Sequence, residues 1–428
     1  MANRAPGSVK DARRTPSPLE PPVNDKLRQQ LKPLFETRVR RTDYSIADDT
    51  RSVALTIDQG MIDAGDRSRP LCEIELELKR GKIAEVFDIA GELIRALPGA
   101  RLAVKSKSER GYELLDDGQD EPVQAAAINL LASAGTRDAF KIIGSACLKQ
   151  VIGNESAVIA ANPEGIHQMR VGLRRLRAAM SLFAGLLRDP QTAAIKTELK
   201  WLAGELGPAR EFEVLVNRVI APIKKNGARR DREPSLSREI TKKRQTALTR
   251  AENAVQSARF GALTLDIAAW LEAGQWTAPQ DDLVRDRGDL PIKVLAIEQL
   301  TRRWRRLRKN RKALAQMDAR RRHRLRIQAK KLRYAVEFFA SLFVSKRAAK
   351  RRKQLLPALE RLQDGLGDLN DIAVDEERIR EMSLRYRSNP NRVFAAGLLT
   401  REEAKIGAAI AVARKAYADV AKVKPFWR

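Results

Sequence analysis

An internal repeat constrains this chain more than any other feature. Gly165–Phe183 reads GIHQMRVGLRRLRAAMSLF and Arg321–Phe339 reads RRHRLRIQAKKLRYAVEFF. Aligned on histidine, both give His-x2-Arg-x3-[Arg/Lys]-[Arg/Lys]-Leu-Arg, 156 residues apart, and the only two histidines, His167 and His323, hold the same place in each. A second pair of matches follows at a similar distance, ELGPAREFEV from Glu205 and GLGDLNDIAV from Gly365. Self-similarity at this range marks a duplicated packing unit. It predicts two helical bundles, each resembling a four-helix bundle, related by a pseudo-two-fold axis.

The surrounding sequence agrees. From Pro122 the chain is rich in Ala, Leu, Arg, Lys and Glu, with breaks near Asn162-Pro163, Asp189-Pro190, 226–235, 273–291 and 388–391. This predicts about eight to ten helices. The bundled region covers 122–420, the first half about 122–272 and the second about 290–420. Residues 1–24 hold five prolines without apolar periodicity and read as a disordered tail. Between them, 25–116 reads as a small α+β domain. Glu36–Tyr44, Ser52–Ile57, Glu73–Lys79 and Leu102–Lys107 are the expected strands, Asp58-Gln59-Gly60 a turn, and Ala84–Leu97 a helix ended by Pro98-Gly99. The fold class is mainly α, with a minor N-terminal α+β part.

Charge divides the chain at the same place. Residues 1–121 carry 21 basic and 22 acidic side chains, whereas 122–428 carry 61 and 32, so the net charge of +28 belongs to the helical part. Such a surface calls for a polyanionic partner. Residues 301–353 alone hold 22 basic side chains against Asp318 and Glu337, densest at Arg302–Lys312 and Lys346–Lys353. Two cysteines, Cys72 and Cys147, make neither a disulfide framework nor a Cys-rich metal site, which fits a reducing, cytoplasmic setting. No apolar run reaches membrane-helix length, and no phosphate-loop or HExxH motif occurs.

Helical geometry gives the repeat a physical meaning. At about 100° per residue, Arg170, Arg174 and Arg177 fall within about 80° of His167, with Arg175 on the flank. Met169, Leu173, Leu176, Met180 and Phe183 take the opposite face. In the second copy His323, Arg326, Lys330 and Arg333 form the stripe, backed by Leu325, Ala329, Leu332, Val336 and Phe339. A stripe of ten residues spans about 15 Å, suited to successive groups of a phosphate chain. Two facing copies would wall a basic groove. A histidine among these cations tends to neutrality, which suits a hydrogen-bond donor. The competing reading is a basic face that is only solvated or pairs with neighbouring carboxylates.

These residues resemble the CHAD family, helical domains that bind inorganic polyphosphate, over roughly Gln124–Tyr417. The resemblance implies a non-catalytic polyphosphate site at His167, Arg170, Arg174, Arg175, Arg177, His323, Arg326, Lys330, Lys331 and Arg333, with no cofactor required. It also implies an association with polyphosphate granules. The downstream Leu-Gly-x2-[Arg/Asn]-[Asp/Glu] elements supply Glu211, where the family pattern usually has Asp, and Asp371 as acids that orient the arginines.

LKPLFETRVRRT, PLCEIELELKRGK and SKSERGYEL in the N-terminal part resemble a CYTH domain, the triphosphate tunnel fold, lacking its early ExExK strand. Glu73, Glu75 and Glu77 alternate along one strand face and would hold Mg²⁺ or Mn²⁺ if this part is active. Arg41, Lys79, Lys107 and Arg110 would then contact phosphate. The alternatives to polyphosphate binding are thus a metal-dependent inorganic triphosphatase and a general nucleic-acid-binding protein. Aromatics at 5 % that do not interleave with the basic motif disfavour the latter.

Overall fold

The computed structural model of the protein describes residues 32–116, 121–217, 235–309, 314, 317–383 and 389–427. The proline-rich tail, the break expected at 226–235 except its last residue, and the end of the basic run at Lys312 lie outside them. The described residues form two compact units. One gathers the chain up to Thr42 with Thr56–Ile74 and Lys105–Gln119; the other gathers Asp43–Leu55, Glu75–Val104 and Asp120–Arg428.

Strands β1 (Glu36–Ala47), β2 (Ser52–Ala64) and β3 (Arg67–Arg80) form an antiparallel meander in that order. Two departures from the sequence reading have clear causes. Asp58-Gln59-Gly60 is not a turn: β2 runs on to Ala64, and the chain reverses at Gly65, whose φ of 62° favours glycine. Asp58 is tolerated inside the strand because its buried carboxylate is ion-paired. Leu102–Lys107 is not a strand but irregular chain leading into a helix. Ser106 Oγ accepts from Glu109 N, while Glu109 Oε2 accepts from Ser106 N at 2.7 Å, a capping box that starts helix α2 (Lys107–Leu115). In the first unit Ile62, Ala64 and Leu71 of the sheet pack against Leu114 of α2.

Helix α1 (Ile83–Ala96) precedes α2 and belongs to the second unit. From Thr136 on that unit is helical, as the composition predicts, and three helices of its first half have counterparts in its second. Its first half holds α3 (Thr136–Ile152), α4 (Glu155–Ile159), α5 (Pro163–Leu182), α6 (Pro190–Leu215), α7 (Ser235–Gln256) and α8 (Ala258–Ala273). After α9 (Asp282–Asp289), the second half holds α10 (Ile292–Arg308), α11 (Ala319–Phe338), α12 (Lys346–Ser383) and α13 (Asn389–Lys422). Helices α3, α5 and α6 each begin 156 residues before α10, α11 and α12. Their caps repeat too. Asn162 Oδ1 accepts from Glu164 N at 2.9 Å and Asp318 Oδ1 from Arg321 N at 2.7 Å; Asp189 Oδ1 accepts from Thr192 N at 2.7 Å and Ser345 Oγ from Ala348 N at 3.2 Å.

The halves meet about a local two-fold axis. Thr136 N donates to Leu290 O and Ile292 N to Ala134 O, both at 3.0 Å, a reciprocal pair in which each partner is 156 residues from its mate. Phe183 and Phe339, equivalent in the two copies, face each other with ring centroids 6.2 Å apart. Every residue predicted on the apolar face of α5 and α11 is buried, and together they join one core. No helix among the described residues is long and apolar enough to cross a membrane.

Candidate anion-binding groove

With the apolar faces of α5 and α11 turned into the core and the two helices packed on each other, their cationic faces meet. They line a groove of about 650 Å³. Helix α5 contributes His167, Arg170 and Arg174, and α11 contributes Arg326, Lys330 and Arg333. Helices α6 and α12, which pack beside them, wall it with Arg210, Glu211 and Arg378, and with carboxylates that include Asp368 and Asp371. The two histidine motifs, 156 residues apart in sequence, therefore bring six of their residues to one concavity.

The arginines are set by a repeated device. Arg170 lies against Gly207 of α6, where a Cβ would come within 3.3 Å of its Nη1; Arg326 lies against Gly367 of α12, where a Cβ would come within 3.5 Å of its Nη2. Glycine at these two positions leaves room for each guanidinium beside the neighbouring helix. Four residues on, Glu211 and Asp371 support the charge of Arg170 and Arg326 respectively, and Arg326 Nη2 is 4.0 Å from Asp371. Glu211 also pairs with Arg378, which comes from the other half of the molecule and lies over the Phe212 ring.

These contacts leave hydrogen-bonding capacity unused. Arg170 donates from Nη1 to Ala203 O at 3.1 Å, yet the buried Nε atoms of Arg170, Arg174 and Arg326 have no acceptor among the described residues. Burial disfavours the charged forms. It holds the Arg170 and Arg326 guanidiniums below their ordinary values and brings Lys330 down to about 7, with Arg326 and Arg174 adding to the effect. Burial and then Arg210 lower His167 to about 4, so its ring is neutral at physiological pH.

The remaining motif residues are placed elsewhere. His323, exposed near the N-terminus of α11, has its Nδ1 2.7 Å from Oδ1 of Asn370, a groove-lining residue. Arg177 is exposed and outside the groove lining. Arg175 is buried, donating to Gln150 Oε1 at 2.9 Å and lying over the Phe338 ring. Lys331 lines a different cavity, with Arg303 and Arg306. Sequence reading passed over Arg378 and the two glycines. The glycines had a signal in the repeated Leu-Gly element; Arg378 had none, since its register depends on how α12 runs past α6.

In the first unit, Asp58 receives Arg41 in a two-point pair at 2.8 and 2.6 Å and Lys107 at 2.8 Å. Glu73 pairs with Lys107 and, at 3.1 Å, with Arg110. Hydrogen bonding from Arg41 holds the Asp58 carboxyl well below the usual range. The Asp58 and Glu73 oxygens lie within 4.8 Å of each other, close enough to share a cation, but each carboxylate already faces two basic groups, with Lys107 common to both. Glu75 and Glu77 are exposed on β3, and Lys79 is paired with Glu77 at 2.6 Å.

Comparison with known proteins agrees with this architecture. The CYTH domain model matches residues 10–112. An inorganic triphosphatase of Haemophilus influenzae is 36 % identical over 87 residues, 20 % of this chain and 24 % of that protein. Two uncharacterized proteins from strains of Mycobacterium tuberculosis are 27 % identical over 274 residues, 60 % of this chain and 48 % of theirs. The chain thus matches less than half the length of these curated relatives. A crystal structure of the CHAD domain from the plant Ricinus communis aligns with a TM-score of 0.58 and 32 % identity, covering 70 % of this chain and 96 % of that one. The CHAD domain model matches residues 142–380, over half of the sequence and the whole of the groove, and the chain belongs to the CHAD family.

Proposed function

We propose that this protein binds inorganic polyphosphate in the groove between α5 and α11, without breaking it. The observation that carries this reading is the set of buried guanidinium Nε atoms, on Arg170, Arg174 and Arg326, that lack an acceptor among the described residues. Buried donors without partners are costly, and a run of phosphate oxygens supplies acceptors at the spacing two helices offer. Neutral His167 donates one further hydrogen bond. Glu211 and Asp371 hold the arginines in place and keep the lining from self-repulsion.

The test is titration with long-chain polyphosphate at about 0.15 M salt, which screens loose attraction. Wild type is compared with a variant carrying His167→Ala, Arg174→Ala, His323→Ala and Lys330→Ala. Loss of two cations with charge-assisted bonds of about 1.5–3 kcal/mol each should weaken binding by about 100-fold or more. Equal affinity in both would mean that net charge alone attracts the polymer. Duplex DNA competing as well as polyphosphate would favour the nucleic-acid alternative.

A second reading, triphosphatase action in the N-terminal part, draws on the similarity to the Haemophilus influenzae triphosphatase. There a divalent ion would bind Asp58 and Glu73 only together with phosphate oxygens that take over Arg41, Lys107 and Arg110. Phosphate release from tripolyphosphate with Mg²⁺ or Mn²⁺, abolished by Glu73→Gln, would establish it.

A further inference from the structure

The two halves differ on one flank of their motif helices, where their symmetry would make them alike. In the first half, Arg175 of α5 is satisfied by protein: it donates to Gln150 Oε1 at 2.9 Å, and Gln150 Nε2 donates in turn to Gln168 Oε1 at 3.2 Å, beside buried Cys147. Adding 156 to each number gives the second half's counterparts. Arg175 becomes Lys331, Gln150 becomes Arg306, Gln168 becomes Arg324 and Cys147 becomes Arg303. Both acceptors of the first-half network are thus replaced by donors, and a thiol by a guanidinium.

The consequence is a cavity of about 320 Å³ between α10 and α11, lined by Arg302, Arg303, Arg306, Arg324, Gln328 and Lys331 together with Ser181 and Ile327, and by no carboxylate among the described residues. It is not part of the groove. On α11 its residues centre about 130° around the helix from the Arg326–Lys330 stripe. Arg303 is only 6 % exposed, and among the described residues it has no hydrogen bond or ion pair; its buried Nε has no acceptor. Burial, with Arg302 and Arg306 beside it, lowers its guanidinium to about 10, and Lys331 is lowered by burial and by Arg303 and Arg306. A buried guanidinium without an anion is unfavourable unless something supplies oxygens.

We propose that this cavity is a second anion site, which takes a compact phosphoryl group on Arg303, Arg306, Arg324 and Lys331. Its volume is at the small end of ligand pockets, so it suits one to three phosphates rather than a polymer lying lengthwise. The group can come from a free short phosphate or from the end of a longer chain. Tetrahedral phosphoryl oxygens match several convergent guanidinium forks, and a terminal phosphate carries more charge than an internal one. The inference does not depend on what the groove binds.

The experiment uses the full chain with the groove disabled by Arg170→Ala and Arg326→Ala, titrated calorimetrically at about 0.15 M salt with orthophosphate, tripolyphosphate and long-chain polyphosphate. Saturable binding of one equivalent is expected, weakened at least ten-fold by Arg303→Met. A second variant, Arg306→Gln with Arg324→Gln, rebuilds the first-half glutamine pair; it should keep full helicity by circular dichroism and also lose the site. Binding by the two short phosphates identifies a free anion as the source, whereas binding by the long chain alone identifies a chain end. No saturable binding by any of the three, or affinity unchanged in both pocket variants, would overturn the proposal. Because the groove is disabled throughout, neither result bears on polyphosphate binding there.

Discussion

Lys330 makes the groove's chemistry measurable at a single residue. Burial holds it at about 7, Arg326, Arg174 and Arg333 push in the same direction, and Asp371 opposes them. Below pH 7 the ammonium is charged and ready for phosphate; above it the free protein loses that proton, and binding an anion must restore it. Affinity for polyphosphate should therefore fall on the order of ten-fold from pH 6 to pH 8.5. His167, lowered to about 4, stays neutral across this window and adds no slope. Lys330→Arg, which does not titrate there, should flatten the profile; a flat wild-type profile would remove Lys330 from the contacts. Arg175 is expected to behave differently. It is 3 % exposed and bonded to Gln150, so Arg175→Ala should lower stability to denaturant by about 2–3 kcal/mol while the folded protein keeps its polyphosphate affinity. Spacing could not distinguish these roles. Arg174 and Arg175 are adjacent in a run of cations, and which of them is buried depends on Gln150 of α3.

At the level of elements, the sequence was legible where periodicity and repetition carried the information. The apolar positions of α5 and α11 fixed which face enters the core, and the offset of the two histidines is also the offset of the helices and of their caps. The flank of each motif helix was illegible, because its neighbour differs between halves: Cys147 and Gln150 on α3, Arg303 and Arg306 on α10. The walls contributed by α6 and α12 were half legible through the repeated Leu-Gly element. That element separates stability from function. Glycine inside a helix is unfavourable by about 1 kcal/mol relative to alanine, yet at Gly207 a Cβ would crowd Arg170, and at Gly367 it would take up the space in contact with Arg326. Gly207→Ala and Gly367→Ala should together raise the melting temperature and reduce polyphosphate affinity several-fold. Stabilisation with unchanged affinity would show that the guanidiniums do not need those surfaces.

For the whole molecule, charge and packing divide the chain at different places. The basic part begins after residue 121, but the compact unit that contains it also claims Glu75–Val104. Counting charges reads surface residues, whereas this boundary is set by buried ones. Helix α1 packs against α8 with Ile89 buried, and Leu102 and Val104 join the helical core. Arg101 donates to Glu155 at 3.1 Å and to the carbonyls of Gln256 and Ser257, where α7 gives way to α8. A chain trimmed to residues 121–428 would keep every groove residue and still lose these contacts. Its unfolding free energy should fall by at least about 3 kcal/mol, the combined value of the Arg101 bonds and the uncovered apolar surface, which lowers the melting temperature by about 5–10 °C. Restoring residues 75–120 should recover most of that loss. Polyphosphate affinity measured well below either melting temperature should be the same for both lengths, because the described residues that line the groove all lie on α5, α6, α11 and α12. Equal melting temperatures would place the boundary at the charge step instead.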